Sequence, residues 1–109
     1  MEEGKLLRIY VSEQDRRENL PLYEWIVRRA HERNVAGATV LRAMEGFGTH
    51  HRVHKSNILR LSSDLPIVVE IVDTGANIER FLSEIDEALA EALVTLERVE
   101  MRFGRGVRS

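Results

Sequence analysis

IVVEIVDTGANIERFLSEIDEALAEA, residues 67–92, changes its hydrophobic period partway along, and that change decides the fold. The stretch opens as a β-branched run interrupted by Glu70, which marks a strand over 67–73. Asp73 or Thr74 then offers a short side-chain oxygen to the free N–H groups of a helix start. Beyond it Ile78, Phe81, Leu82, Ile85, Leu89 and Ala92 recur at three- and four-residue spacing, with Glu79, Arg80, Glu87 and Glu91 outside the stripe. That spacing predicts an amphipathic helix over 76–92.

The same two periods recur on either side. Toward the N-terminus, residues 5–12 alternate, with Leu7, Ile9 and Val11 on one face and Leu6, Arg8 and Tyr10 on the other, which predicts a strand. Residues 13–19 are polar and read as a loop. Pro21 suits the first turn of a helix, where its missing N–H costs nothing, and Leu22, Tyr23, Ile26, Val27 and Ala30 continue a helix over 21–33. Trp25 falls at the margin of that face, as a core-edge or subunit-contact anchor. Asn34 and Gly37 permit the turn that ends the helix. Residues 38–45 form a second strand, with Val40, Arg42 and Met44 opposite Thr39, Leu41 and Ala43. Toward the C-terminus, 94–103 is a closing strand and 104–109 a basic tail.

The order is therefore strand, helix, strand, strand, helix, strand. Right-handed crossovers place both helices on one face of the sheet. The expected architecture is α+β: a ferredoxin-like βαββαβ two-layer sandwich with an antiparallel sheet, spanning 1–109 as one domain. The apolar set Leu7, Ile9 and Val11 belongs under the helices. The opposite face then mixes Leu6, Tyr10, Val40, Met44, Val68 and Val72 with Arg8, Arg42 and Glu70. Such a face is too apolar for open solvent and too charged for a core, and a subunit interface with internal ion pairs satisfies both halves. Arg8, Tyr10, Arg42 and Glu70 are its candidate interface residues.

Bulk properties narrow the function. A chain of 109 residues with 43% hydrophobic and 31% charged residues supports one core. A net charge of −2 argues against a nucleic-acid footprint for the whole domain. Cysteine is absent, which removes disulfides, thiolate metal sites and cysteine nucleophiles. No apolar run approaches the roughly 20 residues a membrane helix needs. Met1, Glu2 and Glu3 lack the layout of a signal peptide, so a cytoplasmic location is expected.

Function concentrates in residues 46–61, between the second and third strands. Gly46, Phe47 and Gly48 interrupt the strand with permissive backbone. The charged residues that follow are Arg52, Lys55 and Arg60, with no acid among them. Arginine's planar fork suits phosphate or carboxylate. Gly46, Phe47, Gly48, Arg52, His54, Lys55 and Arg60 are thus the candidate binding residues for a small anion. His50, His51 and His54 also offer three imidazoles to a metal, but Glu45 is the sole nearby carboxylate, and no metal or other cofactor is expected. Residues 58–61 fit a short strand or a helical turn equally. No nucleophile motif or glycine-rich phosphate loop is present, and no enzymatic activity is expected.

Several segments also resemble a known family: Leu7-Arg8-Ile9-Tyr10, Pro21-Leu22-Tyr23, Ala36-Gly37-Ala38-Thr39-Val40-Leu41-Arg42, Glu45-Gly46-Phe47-Gly48 and Arg52-Val53-His54. Asp64-Leu65-Pro66-Ile67-Val68-Val69-Glu70-Ile71-Val72-Asp73 and Leu93-Val94-Thr95-Leu96-Glu97 continue the likeness. Together they resemble the domain of unknown function 190 family, a relative of the PII signalling proteins and the CutA group, over residues 4–102. The resemblance implies a homotrimer with ligand clefts between subunits and a partner-contacting loop at 46–61. It also implies a small anion or adenine nucleotide as ligand and a protein partner, such as a membrane transporter. A CutA-like metal-binding trimer and an interaction module without a small ligand are the alternatives. One departure stands out: PII proteins cradle phosphates on a glycine-rich turn before the last strand, and here that stretch, 91–95, contains no glycine.

Overall fold

Alternation in the first strand carries through into its burial: Leu7, Ile9 and Val11 are buried, while Leu6, Arg8 and Tyr10 are half-exposed. The computed structural model describes residues 1–46, 54–55 and 65–104. In chain order its elements are β1 (Glu2–Ser12), β2 (Arg16–Arg17), β3 (Leu20–Pro21), α1 (Leu22–Glu32) and β4 (Gly37–Arg42). Then follow β5 (Glu45–Gly46), β6 (His54–Lys55), β7 (Pro66–Asp73), α2 (Gly75–Ile85), a 3-10 turn at Asp86–Leu89 and β8 (Leu93–Met101).

Four strands make the main sheet in the order β4-β7-β1-β8, every neighbouring pair antiparallel. This is the ferredoxin-like βαββαβ arrangement. Both helices lie on one face. Ile67, Val69 and Ile71 of β7 join the buried residues of β1 against Leu22, Trp25, Ile26 and Ala30 of α1 and Ile78, Phe81 and Ile85 of α2. Fully burying each such aliphatic side chain is worth roughly 1.5–3 kcal/mol, so this one cluster supplies the main drive for folding.

Local departures have local causes. The stretch expected as a loop contains a hairpin: β2 pairs with β3, and Glu18 and Asn19 both take left-handed backbone (φ 51° and 67°). That is the mirror-image turn that two-residue hairpins favour, reached here without glycine. The hairpin lies against α1. Trp25 donates its indole N–H to Glu18 Oε2 at 2.7 Å, and the Arg17 and Arg29 guanidinium carbons stand 4.9 and 5.1 Å from its ring centre. Charged groups thus cover the tryptophan, which is buried rather than marginal. Pro21 sits one residue before α1, at its N-cap, rather than in the first turn.

The apolar spacing predicts a second helix running to Ala92. It ends at Ile85, and the 3-10 turn carries the chain onward with Leu89 still buried. Residues at 85 and 89 reach the same core from either geometry, so apolar spacing does not separate them. The Thr74 hydroxyl caps α2, accepting the Asn77 N–H at 3.3 Å.

Register corrects one expectation. Thr39 faces Glu70 and Leu41 faces Val68, while Val40 faces Val69 and Arg42 faces Ile67. Residues directly opposite in an antiparallel pair share a face. Thr39 and Leu41 therefore join Arg8, Tyr10 and Glu70 on the face without helices, and Val40 and Arg42 lie on the helix side. Met44 falls beyond β4 altogether and is exposed. The strand reads apolar on both faces because it is an edge: Val40 and Leu41 are both exposed despite pointing opposite ways.

Candidate functional site

Three strand ends meet where the chain leaves β4 and returns as β7. The Ala43 N–H donates to Pro66 O at 2.9 Å, joining the two roots. Glu13, just past the end of β1, binds both sides. Its N–H donates to Leu65 O at 3.2 Å, its Oε2 accepts the Leu65 N–H at 3.3 Å, and its Oε1 pairs with the Arg42 guanidinium. Beyond these roots β5 pairs with β6, setting Glu45 opposite Lys55 and Gly46 opposite His54.

Of the sequence-predicted binding residues, Gly46, His54 and Lys55 are brought together along this short ladder. Phe47, Gly48, Arg52 and Arg60 lie outside the described residues. So do His50, His51, the undecided stretch 58–61, and Arg105 and Arg108 of the tail. Among the described residues no group of three His, Asp or Glu side chains is placed to hold a metal ion. Among the same residues no helix is long and apolar enough to cross a membrane.

The turn before the last strand is closed on itself. Ala92 donates its N–H to Leu89 O at 3.0 Å, so this amide is already satisfied by the 3-10 turn. A phosphate cradle needs several convergent N–H groups, usually on backbone that glycine permits, and no residue from 89 to 95 takes left-handed backbone.

On the helix-free face Arg8 holds two carboxylates. Its Nε–H donates to Glu70 Oε2 at 3.0 Å across to β7, and its Nη1 reaches Glu97 Oε1 at 2.6 Å across to β8. Hydrogen bonds from Glu70 first and Glu97 second raise the Arg8 pKa above its ordinary value. Leu6, Tyr10, Val68 and Val72 surround this cluster half-buried, and Leu41 and Leu93 are exposed beside it. Arg8, Tyr10 and Glu70 are brought together as expected; Arg42 is not among them.

The opposite end of the sheet is organised by Asp73, which is completely buried. Its Oδ2 accepts the Ala36 N–H at 3.0 Å, and its Oδ1 accepts the Thr74 N–H at 2.6 Å and the Asn77 side-chain amide at 3.1 Å. Two clefts of about 450 and 430 Å³ open at this end, the first beside Lys5, Gly75 and Arg98, the second beside Leu6, Val72 and Phe103.

Sequence reasoning missed Glu13 and Glu97 and assigned Asp73 no role beyond a possible helix cap. Glu97 carried a usable signal, since it alternates onto the same face as Thr95 and Val99 in a strand beside Arg8. Glu13 carried none, because its partners are remote in sequence.

The pattern of the family described as DUF190, Uncharacterized ACR, COG1993, matches residues 4–101. A UPF0166 protein of Aquifex aeolicus is 45% identical over 99 residues, covering 91% of this chain and 93% of its own. A UPF0166 protein of Methanocaldococcus jannaschii is 35% identical over 89 residues, covering 82% of each. Among solved structures, CPII from Thiomonas intermedia K12, a nitrogen regulatory PII-like protein bound to ADP and bicarbonate, superposes with a TM-score of 0.65 at 15% identity. That likeness covers 89% of this chain and 86% of CPII, and it shows the PII-like fold.

Proposed function

Because this chain belongs to the domain of unknown function 190 family and carries a PII-like fold, we propose that it is a trimeric regulator that binds a small anion, first among them an adenine nucleotide. The ligand sits in clefts between copies, and residues 46–61 contact a partner protein. The observation that carries this reading is the charge of that segment: Arg52, Lys55 and Arg60 with no acidic residue, held between roots that are tied together. CPII supports the choice of ADP and bicarbonate as first probes. The half-apolar face bearing Arg8, Glu70 and Glu97 supports self-association.

A ligand that binds the folded protein alone raises its stability, by about 2.7 kcal/mol at a hundred times its dissociation constant. ADP, AMP, ATP and bicarbonate are therefore screened by thermal shift against the wild type and an Arg52→Ala variant. The expected result is an upward shift with at least one nucleotide, reduced in the variant. No shift with any of them sinks the nucleotide reading, and a shift undiminished in Arg52→Ala removes the segment from the site.

A further inference from the structure

Glu13 spends one carboxylate on two jobs. Oε1 pairs with Arg42, the last residue of β4, and Oε2 accepts the N–H of Leu65, the residue before β7. These are the two chain ends between which residues 46–61 run. The pair is lopsided in exposure: the Glu13 side chain is 14% exposed and that of Arg42 is 60% exposed. Solvent, and any solute, meets the cation first.

We infer that the Glu13–Arg42 pair is an anion-exchangeable clamp, in which a phosphate-bearing solute takes Arg42 from Glu13 and so loosens the Leu65 root. The chemistry favours exchange. Glu13 offers Arg42 one oxygen because the other is engaged by Leu65, whereas a guanidinium has five donors in a fork matched to two-pronged acceptors. A diphosphate satisfies that fork better and carries more charge. The carboxylate left behind is largely buried and faces a new negative charge, an unfavourable arrangement that the side chain relieves by moving toward solvent. That movement takes the acceptor away from the Leu65 N–H. The Ala43–Pro66 backbone bond does not involve Glu13, so the effect falls on one root and not the other.

This inference rests on the proposed function for the identity of the natural anion and on the clamp geometry for everything else. Coupling between two binding events is reciprocal: an anion that weakens the clamp binds more tightly, by the same factor, once the clamp is removed. Glu13→Gln is the matching variant. It keeps the length and an acceptor for Leu65 while discarding the charge.

The test is amide hydrogen exchange and titration of the full chain with inorganic pyrophosphate, with ionic strength matched by sodium chloride. The expected result is faster exchange at Leu65 in the wild type on adding pyrophosphate, with Ala43 unchanged. Pyrophosphate affinity rises about fivefold or more in Glu13→Gln, the lower end of ordinary allosteric couplings, and the exchange response disappears in Arg42→Ala. Unchanged Leu65 exchange in the wild type, which needs no variant to fold, overturns the clamp; so does equal or weaker binding by Glu13→Gln. Nucleotide binding with Leu65 unaffected likewise overturns the clamp while leaving the nucleotide reading intact. A clamp that opens to pyrophosphate while no nucleotide shifts the melting curve removes the nucleotide reading alone.

Discussion

Arg8 and Glu70 stand directly opposite each other on β1 and β7, joined by a 3.0 Å hydrogen bond from Nε–H to Oε2. Arg8 also bonds Glu97 on β8, so one guanidinium stitches three adjacent strands on the face that carries no helix. Two carboxylates on one cation leave the cluster net negative, set among half-buried aliphatic side chains.

Replacing Arg8 by Ala leaves Glu70 and Glu97 repelling each other on that face. The expected outcome is a shift from oligomer to monomer in sedimentation velocity, with a small fall in melting temperature. Arg8→Lys restores assembly in part, because an ammonium lacks the fork that reaches both neighbours. A wild type that sediments as a monomer at tens of micromolar sinks the interface reading.

Asp73 ties together three chain segments from inside the core. Asp73→Ala strands the Ala36 and Thr74 N–H groups, and each buried donor left without a partner costs roughly 1–3 kcal/mol. Urea denaturation should show a loss of about 2–4 kcal/mol for Ala and a smaller one for Asn, whose amide keeps one acceptor oxygen. A loss under about half a kcal/mol places the carboxylate outside the stabilising network.

Gly4 lies where backbone passes close. A Cβ built there meets the Asp73 carbonyl oxygen at 2.7 Å and the Met101 sulfur at 2.6 Å. The methionine tail can turn aside but the carbonyl cannot, so Gly4→Ala is expected to cost roughly 1–3 kcal/mol by overpacking. Met101→Ala, introduced as a second change, relieves part of that cost in a denaturation cycle if the side chain shares the clash. No relief assigns all of it to the β7 backbone.

Arg33 grips Glu84 from the end of α1, with its Nε–H 2.7 Å from Oε1. The hydrogen bond from Arg33 lowers the Glu84 pKa below its ordinary value against a smaller opposing effect of desolvation, and the charge of Arg33 adds to the lowering. The folded state therefore holds the proton less tightly than the unfolded chain. This stabilisation is present above the ordinary carboxylate range and is lost as pH falls through the depressed value. Melting curves of the wild type and Glu84→Gln should differ slightly at neutral pH and converge in acid. A gap that widens on acidification contradicts the assignment.

The segments that read most clearly were those whose own side chains settle the matter. Ile67, Val69 and Ile71 alternate into the core as their spacing demands, and Thr74 caps the helix it precedes. Edge strand β4 was harder. Thr39, Val40 and Leu41 fit either face equally, and the register with β7 resolves which residue meets Glu70. The hairpin at 16–21 carries no such signal, because Glu18 and Asn19 adopt left-handed backbone that glycine usually marks.

By itself, then, the sequence determined the order of strands and helices, the apolar set beneath the helices, the family likeness and the basic character of residues 46–61. Each is a property of neighbouring residues: period, branching, charge and turn chemistry. Tertiary structure alone decided that Arg42 lies on the helix side and pairs with Glu13, that Glu97 joins Arg8, and that Asp73 is satisfied by Ala36. Those partners lie 29, 89 and 37 positions apart. A local pattern carries no information about contacts at that separation, which exist once sheet register has brought distant strands side by side.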